Sequence, residues 1–261
     1  MDKDKDYNYM NKIEIVFENE NCLVINKPAG LAVHEGGNIK EDTLSDWIKN
    51  KYPNIKNVGE DPIRPGIVHR LDMDVSGLMV IAKNQKSFEN LKNQFKERSV
   101  KKEYTALVHG SLSKDFDTID FPIKRSKDGY KMAAIPKNTE GLLTRRQPKT
   151  RDKGNIDAYF KAKEAVTEFE VIKRFVNFTL LKVKIKTGRT HQIRVHMFSY
   201  GHPLVGDTLY FTKKTKVKNE KLKLGRIFLY SDKLSFKDLD KKELTFQLEM
   251  PDELKNYLPK N

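Results

Sequence analysis

Cysteine is almost absent from this chain. Cys22 stands alone in the apolar run NCLVIN, so no internal disulfide can form, and it reads as a small buried side chain of a protein kept in a reducing, cytoplasmic compartment. Long apolar runs are missing too: none approaches the roughly 20 residues that cross a bilayer, which excludes a helical membrane span. The opening MDKDKDYNYM alternates charge and has no apolar stretch, so it does not read as a secretory leader. Glycine-rich phosphate loops are lacking, which leaves nucleotide cofactors without support. No HExxH pattern, cysteine cluster or dense carboxylate group occurs, and arginines flank most of the His and Asp residues that could ligate a metal. Ser76 lacks the GxSxG setting of a nucleophilic serine and reads as a turn former.

What is present is a folded protein with a basic imbalance. Apolar residues make up 38% and aromatics 10% of the 261 positions, enough for one large core or two modest lobes. Of the net charge of +14, eleven excess positive charges fall in two stretches, residues 137–163 and 213–226. Clustered cations of this kind are the footprint of a phosphate-backbone partner, against the plainer reading of two solvated loops.

Residues 1–11 read as a charged lead-in. IEIVF and CLVIN around ENEN predict a hairpin, and NKPAGLAVH a loop forced by Pro28 and Gly30. Thr43 caps a helix with Leu44, Trp47 and Ile48 on one face, and Asn84 caps another with Phe88, Leu91 and Phe95. Ile67–Lys83 reads as strand, turn, strand. EYTALVHG is a strand, VTEFEVIKRF and FTLLKVKIKT are two more, and THQIRVHMFSYG is a helix with Thr190 as its cap and Gly201 as its stop. Strand-like segments at 226–248 and a short helix at PDELKNYL close the chain. Strands follow strands with few helices between, which predicts an α+β fold on a mixed, mainly antiparallel sheet.

Three polar clusters interrupt this apolar pattern: His69–Arg70–Leu71–Asp72, Lys102–Glu103–Tyr104, and Thr187–His196. A carboxylate at the mouth of a buried strand is poor core design. One that must act near neutral pH in a desolvated pocket needs a guanidinium beside it to stay ionised, and Arg194, flanked by Ile193 and Val195, fits that need. A structural buried ion pair is the competing reading. His69 and His191 read as histidines satisfied by loop backbone.

These clusters resemble a known family. HRLDMDVSGLMVIAK resembles the catalytic motif of the RluA/RluD-type pseudouridine synthases, and NKPAGLAVH resembles their first motif. FKERSVKKEYTALVHG matches the pattern around their active-site tyrosine, and TGRTHQIRVHMFSYGHPLVGD their last major motif. One departure is visible: Val75 stands where the family usually has threonine, which puts one local hydrogen bond in doubt.

The resemblance implies an RNA pseudouridine synthase with a central catalytic cleft, working on ribosomal or transfer RNA with no cofactor and no metal. Asp72 would be the catalytic carboxylate, as nucleophile or as base. Tyr104 would stack on the base or take the C5 proton, and Arg194 would pair with Asp72. Arg70 would enter the RNA helix in place of the flipped nucleotide, since a base cannot react inside a stack. Lys27, His34, Arg189, His191, Lys213, Lys214 and Lys216 would contact RNA, and Leu71 and Ile193 would wall the pocket. Residues 12–261 would form the catalytic domain, with a basic insertion at 137–163 and no RNA-binding domain before it. RNA is then the expected partner, with no membrane and no obligate protein partner, and the chain a monomer. A non-catalytic RNA-binding protein on the same fold, or a metal-dependent hydrolase, are the rival functions.

Overall fold

The computed structural model describes residues 9–36, 42–126, 128–135 and 162–259. The basic insertion expected at 137–163 lies almost wholly outside the described residues, as does most of the lead-in. The chain divides into two compact units: the residues up to Tyr104 together with Leu229–Lys255, and Thr105–Phe228 with the chain end. The division falls inside one strand, β4 (Lys101–His109), directly after Tyr104.

In the first unit the predicted hairpin forms from β1 (Glu14–Glu18) and β2 (Cys22–Lys27), with Asn19 accepting the Asn21 and Cys22 amides at the turn. β2 pairs antiparallel with β3 (Ser76–Ala82), the run SGLMVIA, and all seven residues of β3 are buried. A strand covered on both faces needs no polar alternation, which is why this run is continuously apolar. β3 pairs in parallel with β10 (Leu229–Lys237), and β10 pairs antiparallel with β11 (Glu243–Gln247). Two helices accompany these strands, α1 (Leu44–Lys51) and α2 (Gln85–Lys96). Thr43 and Asn84 cap them as expected, Thr43 in a reciprocal box with Asp46. Phe88 and Leu91 form the buried stripe of α2, which packs on β3.

In the second unit β5 (Phe116–Ile119), β8 (Thr167–Arg174) and β9 (Phe178–Ile185) form an antiparallel array. β6 (Ile123–Arg125) and β7 (Met132–Ala134) make a separate hairpin. Their Ile123 packs with Val195 of α3 (Gln192–Ser199), Ala165 and Tyr210. Then come α4 (Lys213–Leu222) and, back in the first unit, α5 (Asp252–Lys255). Apart from β3–β10, the strand pairings named for the two units are antiparallel, so the mixed, mainly antiparallel α+β reading holds.

Three local expectations change. Ile67–Lys83 is not strand–turn–strand: before the turn only Ile67 bridges to Ile81, and the Val80 amide is taken by the His69 ring rather than by backbone. Thr190 does not cap α3; the cap position is His191, in the left-handed region at φ 54°. The lysine-rich stretch from 213 is helix rather than loop, because Thr212 and Thr215 cap each other reciprocally and lysine is a good helix former.

Candidate active site

Asp72 sits, half-buried, on a tight turn in which the Val75 amide donates to the Asp72 carbonyl at 3.1 Å. The turn is fixed from a second loop. The Gly30 amide and the Lys27 ammonium both donate to the Met73 carbonyl, at 2.9 and 3.1 Å, and Lys27 also donates to Pro28 and Leu31, each at 2.8 Å. Lys27 is fully buried. A buried ammonium is tolerated only where acceptors replace its water, and here three carbonyls do so. The expected RNA contact from Lys27 is therefore corrected: its charge faces inward and ties the first motif to the turn that carries Asp72.

Immediately after the turn, Gly77 (φ 119°) lies so close to β10 that a Cβ there would stand 2.2 Å from the Ser231 carbonyl oxygen. Only glycine permits that approach. It brings Ser231 into register with Gly77, and Ser231 hydrogen-bonds the Tyr104 hydroxyl. Tyr104 is buried, and its hydroxyl is pushed well above the ordinary tyrosine value. Burial is the first cause, the Asp72 carboxylate next, with Asp232 adding and the Ser231 bond opposing. Asp72 and Tyr104 are thus electrostatic neighbours within one unit, and Tyr104 is a neutral phenol near neutral pH.

The rest of the HRLD stretch is anchored or exposed by turns. His69 accepts the Val80 amide at 3.0 Å and stacks on Phe95 with centroids 4.5 Å apart. Burial, then the Lys102 charge, pushes its ring down to about 3, so it is the structural histidine expected. Lys102 lies 5.3 Å from the Phe95 ring, and burial lowers its ammonium to about 8. Arg70 points outward and donates to His34 Nε2 at 3.2 Å, while His34 Nδ1 donates to the Glu35 carbonyl. The fold so gathers two of the expected RNA contacts. Leu71 is buried.

In the second unit, Gln192 organises the TGRTHQ loop. Its side-chain oxygen accepts from Thr187 Oγ1 (2.6 Å) and the Arg189 amide (3.0 Å), and its nitrogen donates to Val166 and Thr167. This launches α3 with Ile193 buried and Arg194 turned to a buried carboxylate. Arg194 Nε and Nη2 donate to the two oxygens of Asp207, each at 2.9 Å, and its guanidinium lies 5.4 Å from the Tyr210 ring. Asp207 Oδ1 also accepts the Leu209 and Tyr210 amides. A fork-to-fork pair with its spare lone pairs filled holds a buried guanidinium in a single pose. His191 hydrogen-bonds the Tyr210 hydroxyl at 2.9 Å, and Arg189 donates to the Glu164 carbonyl. Lys213, Lys214 and Lys216 are exposed on the first turn of α4, Lys216 with its ammonium 5.7 Å from the Phe211 ring.

Sequence reasoning does not single out Asp207, Ser231 and Gln192, whose side chains hold the candidate residues in place. Asp207 ends the TGRTHQIRVHMFSYGHPLVGD motif, and a Gly–Asp pair closing a polar motif is a readable signal for a turn carboxylate. Ser231 gives no such signal inside LYSDKLSF. Among the described residues no group of three or more His, Cys, Asp or Glu side chains could hold a metal ion, and no helix is long and apolar enough to cross a membrane.

Residues 21–199 match the family model described as RNA pseudouridylate synthase. A protein of Aquifex aeolicus named as an uncharacterized RNA pseudouridine synthase is 39% identical over 94% of this chain and 71% of its own length. The ribosomal large subunit pseudouridine synthase D of Pseudomonas aeruginosa is 41% identical over 76% of this chain, which spans 53% of that protein. In structure the chain is similar to human RNA pseudouridylate synthase domain containing 1. That likeness has a TM-score of 0.70 at 22% identity, covering 95% of this chain and 88% of the other, and it speaks for the fold alone.

Proposed function

The chain belongs to the RNA pseudouridylate synthase family, and from that premise we propose that it isomerises specific uridines of ribosomal RNA, with Asp72 as the catalytic carboxylate. Transfer RNA is the second substrate class to test. In the reaction the N1–C1′ bond breaks, the base turns, and C5 bonds to C1′. The C5 proton leaves and N1 regains one, so atoms balance with no redox step. Asp72 attacks or deprotonates the ribose. The observation that carries this reading is that the Asp72 carboxylate is close enough to act electrostatically on the buried Tyr104, whose hydroxyl is held by Ser231. A neutral phenol suits stacking on a flipped base, and it can accept the C5 proton only by passing its own onward. Arg194, locked by Asp207, is the guanidinium assigned to the reaction. Arg70, outward beside His34, takes the place of the flipped nucleotide, and the lysines opening α4 hold phosphates.

The test is transcriptome-wide pseudouridine mapping in cells lacking the gene, rescued with wild type or Asp72→Ala. Loss of a discrete site, restored by wild type alone, supports the assignment. Rescue by both proteins sinks it in favour of an RNA-binding role.

A further inference from the structure

α4 is a basic helix whose buried contacts are sparse. Thr215 is the one residue of the helix that is buried, and Lys213, Lys214, Lys216 and Lys221 are exposed. What docks this helix is the side chain of Asn219. Its oxygen accepts from the Gly206 amide at 3.0 Å and from His109 Nε2 at 2.7 Å, and its nitrogen lies 3.3 Å from the Asp207 carbonyl. The Gly206 amide can only donate and the Asp207 carbonyl can only accept, so the orientation of the Asn219 amide is fixed by backbone. That orientation in turn requires His109 to carry its proton on Nε2. Burial lowers the His109 value, and its Nδ1 is enclosed without a hydrogen-bond partner, which fits an unprotonated nitrogen.

The two backbone groups that Asn219 holds belong to Gly206 and Asp207. Gly206 (φ 77°) has no room for a side chain: a Cβ would stand 2.0 Å from the Arg226 carbonyl oxygen. The Gly–Asp turn is therefore wedged against residue 226 on one side and held by Asn219 on the other. The carboxylate of Asp207 is the fork that receives Arg194. A displacement of the turn by a few tenths of an ångström changes the pose of a guanidinium bound through both donors of one edge.

We infer that Asn219 is a positioning residue for Arg194, acting through the Gly206–Asp207 turn, and that it joins the RNA-facing helix α4 to the arginine of the reaction centre. This rests on the proposed role of Arg194. Asn219 acts on the pose of the arginine and not on phosphate contact, which predicts a loss of turnover without a loss of binding.

The test uses the full-length protein and total RNA tritiated at uridine C5, prepared from cells lacking the gene, with tritium release as the readout. Asn219→Leu and Asn219→Asp are compared with wild type, and each is assayed only below its own thermal unfolding transition. Asn219→Asp keeps the acceptor for Gly206 and His109 but loses the donor to Asp207. The expected result is a fall in kcat of about tenfold for Asn219→Leu with KM within about twofold, and an intermediate kcat for Asn219→Asp. A kcat equal to wild type in the folded Leu variant, or a rise in KM alone, overturns the inference. Arg194→Lys and Asp207→Asn run in parallel. If these keep full turnover, the assignment of Arg194 itself fails; if they lose it while Asn219→Leu does not, only the inference about Asn219 fails.

Discussion

The two units hold the residues proposed for the reaction by opposite means. In the first, Asp72 is carried by backbone: a turn closed by Val75, with the Met73 carbonyl gripped by Gly30 and by the inward ammonium of Lys27. In the second, Arg194 is carried by side chains, forked onto Asp207 and laid against Tyr210. The difference teaches something about the two jobs. A group that makes and breaks bonds needs an exact place for its Cα and latitude in its carboxylate. A group that stabilises charge needs its whole guanidinium immobile.

The sharpest way to test this contrast is at Asp72 itself. Asp72→Ala should lower turnover by about a thousandfold or more while RNA affinity stays within a few fold, measured by tritium release and filter binding. Equal losses in both would contradict the separation of chemistry from scaffolding. Next in size is Asp207→Ala, which strands a buried guanidinium. It should lower unfolding free energy in urea by about 3–5 kcal/mol, because the partner charge is left without compensation. An unchanged urea midpoint would mean that the arginine is not held as described.

Lys27→Met probes the backbone side of the comparison. Three carbonyls lose their shared donor, so stability should fall by about 1–3 kcal/mol. The slope of log Kd against log salt should stay as in wild type, because this ammonium never meets a phosphate. A flatter slope would restore Lys27 to the RNA surface.

Each unit also encloses a neutral histidine, His69 near a value of 3 and His196 near 4, both lowered chiefly by burial. The unfolded chain takes up these protons below about 6.5, whereas the folded chain resists them. Stability present at neutral pH is thus lost as pH falls from about 6.5 through 4. For the buried His196 the slope is at most about 1.4 kcal/mol per pH unit. His196→Asn should flatten urea midpoints across that window, and an unaltered pH profile would refute its contribution. The smallest effect belongs to the surface. Replacing Lys213, Lys214 and Lys216 by Ala should leave kcat alone and flatten the salt slope by about 0.7 for each phosphate that these lysines neutralise. An unchanged slope would make them solvated decoration.

Much of the fold is legible in the sequence. Alternation and capping residues locate the hairpin, α1, α2 and the β8–β9 pair, because those signals are local. Asp72 and Arg194 stand out as charges inside apolar runs. What stays hidden depends on distant partners. Lys27 looks like any cation until three carbonyls are seen to surround it. Ser231 acquires its role only when β10 lies against Gly77. α4 reads as a loop in the sequence because its anchors are a threonine and an asparagine, and polar anchors leave no apolar stripe to count.

Gly77 has a practical consequence for anyone screening this enzyme by saturation mutagenesis. Any side chain at that position collides with the backbone of β10 and shifts Ser231, and with it the anchor of Tyr104. Such clones would score as null for modification as cleanly as those altered at Asp72. A phenotype map alone would mark Gly77 as part of the chemistry, although its contribution is an empty volume the size of one methyl group.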